Sequence, residues 1–168
     1  MCSKDQQHSF NAPYQLSKIP GDALPLTMRE KVDTNKIKDI KNQFWSDSPS
    51  QADTYELRVM EGDICILGTD GLFDNLYLDD ILDIVDQFMT ATSKSRLPLT
   101  RTQANYLAQR LSKAARTRSK SVNTVSPFQT KCNEFLTQSH ASNSSDAESE
   151  LWKGGKRDDI GVVVAFIS

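Results

Sequence analysis

Cysteine is scarce and poorly spaced for chemistry. The chain of 168 residues holds three, Cys2, Cys65 and Cys132. An odd number with no metal-type spacing argues against a disulfide framework and for a reducing compartment. Cys65 lies in an apolar run and reads as a small buried hydrophobe. Long hydrophobic runs are absent: the longest, 160–167, is too short to span a bilayer. The polar opening MCSKDQQHSF has no signal-peptide core, so a soluble, intracellular protein is expected. Net charge is small, -2 with a pI near 5.7, which gives no support to nucleic-acid binding. There is no internal repeat and no Gly-x-x-x-x-Gly-Lys-Ser/Thr loop for nucleotide phosphates. No Asp-x-Asp nucleophile motif follows an apolar strand either.

Charge of one sign is also missing locally. Residues 61–87 hold eight acids and no Lys or Arg, whereas 110–120 hold five bases and no acid. Such an acidic excess is either a solvated face or an attractor of cations. The composition is otherwise that of a soluble globular domain, or part of one, with 38% hydrophobic and 25% charged residues.

Along the chain, QQHSFNAPYQL (6–16) alternates weakly, and Pro13 points to an edge or interrupted strand. Residues 17–52 read as a long excursion with room for one short helix. TYELRV (54–59) alternates like a strand, and EGD (61–63) is a turn. ICILGT (64–69) is a continuous apolar run, expected as a strand buried on both faces. Leu78, Ile81, Leu82, Val85, Phe88 and Met89 recur at helical spacing, with Asp79 and Asp80 suited to the positive end of that helix. A second helix is predicted over 102–118, from Ala104, Leu107, Ala108, Leu111, Ala114 and Ala115 on one stripe. Its basic last turns complement its carbonyl end. The Ser-rich stretch 137–150 reads as a polar surface insert. GGKRDD leads into the last strand, predicted over 160–167.

Two acids stand at informative places. Asp70 follows the end of one apolar strand, and Asp158 and Asp159 precede the start of another. If these strands pair antiparallel, Asp70 and Asp158 meet at one sheet edge. Parallel strands would put them at opposite ends. Acids gathered at a sheet edge repel one another unless a cation joins them, and hard oxygen donors favour Mg²⁺ or Mn²⁺ over zinc. Plainer readings compete: Asp-Gly is a strong hairpin signal, Asp74 and Asp79 suit a helix start, and GGKRDD has the composition of a flexible turn. His8 and His140 are isolated in sequence.

GDICILGTDGLFDNL, followed at the far end by GGKRDDIGVVVAFI, resembles the type-2C metal-dependent Ser/Thr protein phosphatases. QQHSFNAPYQL and the Ser126-Pro127-Phe128 triplet are similar to that family's mitochondrial branch. The resemblance implies an α+β fold, a β-sandwich flanked by helices on both faces. It also implies a protein serine/threonine phosphatase. In it, water held between two Mg²⁺ or Mn²⁺ ions attacks phosphoserine or phosphothreonine, with no phosphoenzyme intermediate. Asp70 and Asp158 match metal-binding positions of the family, and Asp74 matches an acid of a further, weaker metal site. A phosphoprotein substrate and a mitochondrial location are implied as well.

The family's earlier Asp-Gly motif, whose Asp bridges both ions, has no counterpart, because Asp70-Gly71 is the one Asp-Gly present. The family's early phosphate-binding Arg is missing too. Residues 1–168 are therefore expected to form the C-terminal portion of the domain, incomplete at its N-terminus and inactive alone. Gly161 stands where relatives usually have Thr or Ser. Two alternatives stay open: a non-catalytic pseudophosphatase or partner-binding fragment, and a different phosphohydrolase or nucleotide-binding fold.

Overall fold

The structure, a computed structural model, describes residues 2–16, 47–92, 99–140 and 151–168. It divides into two compact units, Met1–Leu57 and Arg58–Ser168, each described by itself.

In the first unit, β1 (Gln7–Ser9) and β2 (Ala12–Pro13) pair antiparallel. Asn11 makes the turn at φ 54, a conformation Asn tolerates better than most residues. The stretch read as an interrupted strand is thus a tight hairpin. Asp47 ties the unit together. Its Oδ2 accepts the Gln15 amide at 2.7 Å and its Oδ1 lies 2.9 Å from His8 Nε2. The Gln15 amide, helped by His8, holds the Asp47 carboxyl below the usual carboxylate range. His8, isolated in sequence, therefore has a specific partner. A capping box from Ser48 and Gln51 starts a single 3₁₀ turn, Pro49–Gln51. Most of the expected excursion, 17–46, lies outside the described residues.

Residues 53–60 adopt no regular secondary structure, so the strand expected over 54–59 does not form there. Tyr55, Leu57 and Val59 are exposed. Alternation supplies a face, but a strand needs a hydrogen-bonding neighbour.

The second unit is organised on β3 (Ile64–Gly68) and β4 (Val162–Phe166). They pair antiparallel, from Ile64 opposite Phe166 to Gly68 opposite Val162, the orientation that brings Asp70 and Asp158 to one sheet edge. Between the strands in sequence lie α1 (Asp70–Phe73), α2 (Leu78–Thr92), α3 (Arg101–Ser119) and α4 (Pro127–His140). Ile64, Ile66, Val162, Val164 and Phe166 pack on the core formed by Leu72, Leu76, Ile81, Phe88, Leu107, Leu111 and Ala115. Leu107 and Leu111 are fully buried, each stabilising the unit by about 1.5–3 kcal/mol. The Phe88 ring stacks on Phe166 at 6.0 Å.

One expectation about this sheet fails. Cys65, Leu67, Val163 and Ala165 point away from the helices and are exposed, Leu67 at 63% and Val163 at 61%. The apolar run is covered on one face only, and Cys65 is an exposed thiol rather than a buried hydrophobe. An apolar run of four to eight residues marks a strand but cannot say how many layers cover it. The class is α+β, and among the described residues helices cover one face of the β3–β4 pair.

The helices follow the periodicity closely. α2 and α3 each extend the predicted span by up to three residues. Thr100 and Gln103 form a capping box at the start of α3. Arg118, expected only to complement the end of its own helix, pairs bidentately with Asp80 in the first turn of α2, at 2.6 and 2.5 Å. That contact locks the two helices together. α4 has no apolar stripe strong enough to predict it. It starts because Ser126 Oγ accepts the Gln129 amide at 3.0 Å ahead of Pro127 at the first helical position. Residues 137–140, read as the start of a polar insert, continue this helix, and 141–150 lie outside the described residues. No helix among the described residues is long and apolar enough to cross a membrane.

Candidate metal centre

Asp70 opens α1 directly after β3. Thr69 fixes the junction from both sides: its amide donates to Gly161 O at 3.0 Å and its hydroxyl donates to Asp159 O at 2.8 Å. The Gly161 amide returns a bond to the same hydroxyl at 3.0 Å. The approach to β4 is thereby drawn against the start of α1. Gly71 is needed because of that closeness. A Cβ at position 71 would stand 2.5 Å from the Asp159 carbonyl oxygen, so Asp-Gly serves a close backbone approach here, and the hairpin reading does not hold.

The result is a convergence of three carboxylates. Asp70, Asp74 and Asp158 each offer an oxygen, and these atoms all lie within 4.8 Å of one another. Asp70 Oδ1 accepts the Gly71 amide, and Asp158 Oδ1 accepts the Asp159 amide, both at 2.9 Å. Those bonds orient the two side chains and leave each Oδ2 directed at the common point. The Asp159 amide, seconded by Lys156, holds the Asp158 carboxyl below the usual range.

Lys156 enters this cluster. Its Nζ lies 2.7 Å from Asp74 Oδ2, 3.1 Å from Asp158 Oδ2 and 3.4 Å from Asp70 Oδ2. Burial acts against the lysine's charge, but hydrogen bonds to Asp74 and Asp158 outweigh it and raise its pKa above the ordinary lysine range. Burial pushes Asp74 the other way for a carboxylate, upward, against the pull of Lys156. These two directions conflict for one ion pair. A 2.7 Å contact with an ammonium decides for the ionised carboxylate.

Asn75 positions the lysine and was not apparent from sequence. It is fully buried. Its Oδ1 accepts the Lys156 amide at 3.0 Å, and its Nδ2 donates to the carbonyls of Lys156 and Gly71, both at 2.9 Å. The preceding residues are held as tightly: Ser126 Oγ donates to Gly154 O, and the Gly154 and Gly155 amides donate to Gln129 Oε1 and Ser121 O, each at 2.8 Å. GGKRDD, read as a flexible turn, is a fixed connection. The overlooked signal was a base placed two residues before the second acid.

The donor set suits a hard divalent cation. Oxygens bound to one Mg²⁺ or Mn²⁺ stand about 3.0 Å apart when adjacent and about 4.2 Å apart when opposite, so carboxylates within 4.8 Å of one another would draw together on sharing an ion. Beside it, Ser112, Arg116, Ser119, Lys120 and Arg157 line a cavity of about 320 Å³ with Asp158, Asp159 and Ile160. Three bases therefore face the space next to one of the carboxylates.

No family model matches the chain. It is 31% identical over 166 residues to the protein phosphatase PTC7 homolog fig of Drosophila willistoni, covering 99% of this chain and 41% of that protein. It is 33% identical to the mitochondrial protein phosphatase 2C homolog 7 of Saccharomyces cerevisiae, covering 98% of this chain and 39% of that one. A solved structure, the photosystem II phosphatase PBCP, superposes with a TM-score of 0.58 at 24% identity, covering 99% of this chain and 50% of that one; it speaks to the fold alone. The chain thus spans about two fifths of the length of these two curated relatives. Over nearly its whole length the chain is similar in sequence to type-2C protein phosphatases, the PTC7 homologues among them, and it shares the fold of a solved phosphatase.

Proposed function

We propose that these residues supply part of the metal centre of a Mg²⁺- or Mn²⁺-dependent phosphatase acting on phosphoserine and phosphothreonine in proteins, with Asp70 and Asp158 as ligands. The observation that carries this reading is the convergence of three carboxylate oxygens within 4.8 Å at the end of an antiparallel strand pair. Asp70 and Asp158 would hold a divalent cation there, which would supply an activated water and neutralise phosphoryl oxygens. The chain's own groups do the rest. Backbone amides hold the two ligands in orientation, and Arg116, Lys120 and Arg157 offer positive charge to an anionic phosphopeptide. On this reading 1–168 form the C-terminal portion of the domain, with the polar insert near 137–150, and work at a mitochondrial site like the one named for the yeast relative.

The test is hydrolysis of phosphoserine and phosphothreonine peptides with Mn²⁺. The 168 residues alone are expected to show negligible turnover, because the acid that bridges two ions in the family has no match here. In the longest natural form that contains these residues, Asp70→Asn and Asp158→Asn should each lower turnover at least as much as the roughly 10–100-fold cost of losing a metal's outer-shell partner. Normal metal-dependent turnover in both variants would overturn the ligand assignment.

A second reading, a non-catalytic partner-binding fragment, is favoured by one observation: an ammonium already sits among the carboxylates. Longest-form protein that binds Mn²⁺ yet hydrolyses no phosphopeptide would decide for it.

A further inference from the structure

We propose that Lys156 is a built-in counter-cation that competes with divalent metal for the Asp70–Asp74–Asp158 cluster, so that metal binds only by displacing its ammonium. This rests on the reading that the cluster binds metal.

The geometry makes the two cations mutually exclusive. Asp70 and Asp158 each have Oδ1 engaged by a backbone amide, so Oδ2 is the oxygen left to face a cation. Those same Oδ2 atoms, with Asp74 Oδ2, are the ones Lys156 Nζ contacts at 2.7–3.4 Å. A metal ion at about 2.1 Å from these oxygens would stand where the ammonium stands, and two positive centres cannot share that place.

The lysine is also placed too firmly to be a chance surface contact. An ordinary surface lysine has a free backbone environment and a solvated head. Lys156 has its amide and carbonyl both clamped by the buried Asn75, and its side chain is only 15% exposed. Its Nζ lies 4.9 Å from the centre of the Phe128 ring, whose negative face favours a cation. Three carboxylates and one ammonium leave a formal charge of -2 within the cluster, so the apo site is only partly neutralised. The remaining negative charge still attracts a divalent cation, whose apparent affinity is lowered by the fraction of the site that the ammonium holds.

The test is Mn²⁺ binding, followed by the electron paramagnetic resonance of free Mn²⁺, for the wild-type chain, Lys156→Met and Lys156→Arg. Methionine keeps the length and apolar stem without the charge. It should bind Mn²⁺ roughly tenfold or more tightly than wild type, the low end of what removing a charge a few ångströms away does to an equilibrium. Arginine keeps the charge and should stay near wild type. Equal or weaker binding by Lys156→Met, while wild type binds, would overturn this proposal and leave the metal reading intact. Failure of all three to bind would overturn both.

A measurement on the wild-type chain covers the case in which Lys156→Met does not fold. Labelling with a lysine-directed acylating reagent, located by mass spectrometry, should find Lys156 protected in EDTA and labelled once Mn²⁺ displaces it. Identical labelling with and without Mn²⁺, at concentrations where Mn²⁺ is bound, would overturn the proposal.

Discussion

Asn75 shows how one residue can determine the site without touching anything catalytic. Its three side-chain hydrogen bonds satisfy the Lys156 amide and carbonyl and the Gly71 carbonyl, and so join the two ends of the molecule's acidic motifs. In sequence it follows Asp74 and looks like a turn residue. Nothing local signals a partner 81 positions away. Asp70 and Asp158 were legible because each borders an apolar run whose end is obvious. Asn75 and Lys156 were not, because their meaning exists only once the strands have paired. Asn75→Ala leaves a buried amide and two carbonyls short of partners, and should lower stability by about 1–3 kcal/mol in urea unfolding. A change below about 0.5 kcal/mol, the range of ordinary surface substitutions, would contradict this role.

At the scale of elements, periodicity was a good guide where it was strong. α2 and α3 carry continuous apolar stripes and appear nearly where predicted, whereas α4, capped by Ser126 and amphipathic only weakly, escaped notice. β3 was found but misjudged. Its alternate residues Cys65 and Leu67 lie exposed beside Val163 and Ala165 of β4, because an apolar run is the same whether one face or two are covered. Among the described residues nothing covers that apolar strip. It also gives a thiol test. In the folded chain Cys2 and Cys65 should react quickly with a thiol-specific disulfide reagent, while Cys132 should react only on unfolding. Burial pushes the Cys132 thiol up in pKa, which slows it further. Protection of Cys65 in a monomer would mean that the outer face of β3 is covered after all.

For the whole molecule, Asp70 and Asp74 of the acidic stretch and Asp158 of GGKRDD become one site only through the antiparallel pairing of two strands nearly a hundred residues apart. The sequence posed that pairing as one of two alternatives, and its antiparallel form carries the central claim that Asp70 and Asp158 hold a cation. The most direct measurement is Mn²⁺ titration of the wild-type chain beside Asp70→Asn, Asp158→Asn and Asp159→Asn, read by calorimetry. The account predicts weak wild-type binding, of about millimolar class as at the weakest oxygen sites. That binding should be lost in Asp70→Asn and Asp158→Asn and kept in Asp159→Asn, whose side chain is not among the clustered carboxylates. Unchanged Mn²⁺ binding in both Asp70→Asn and Asp158→Asn would contradict it.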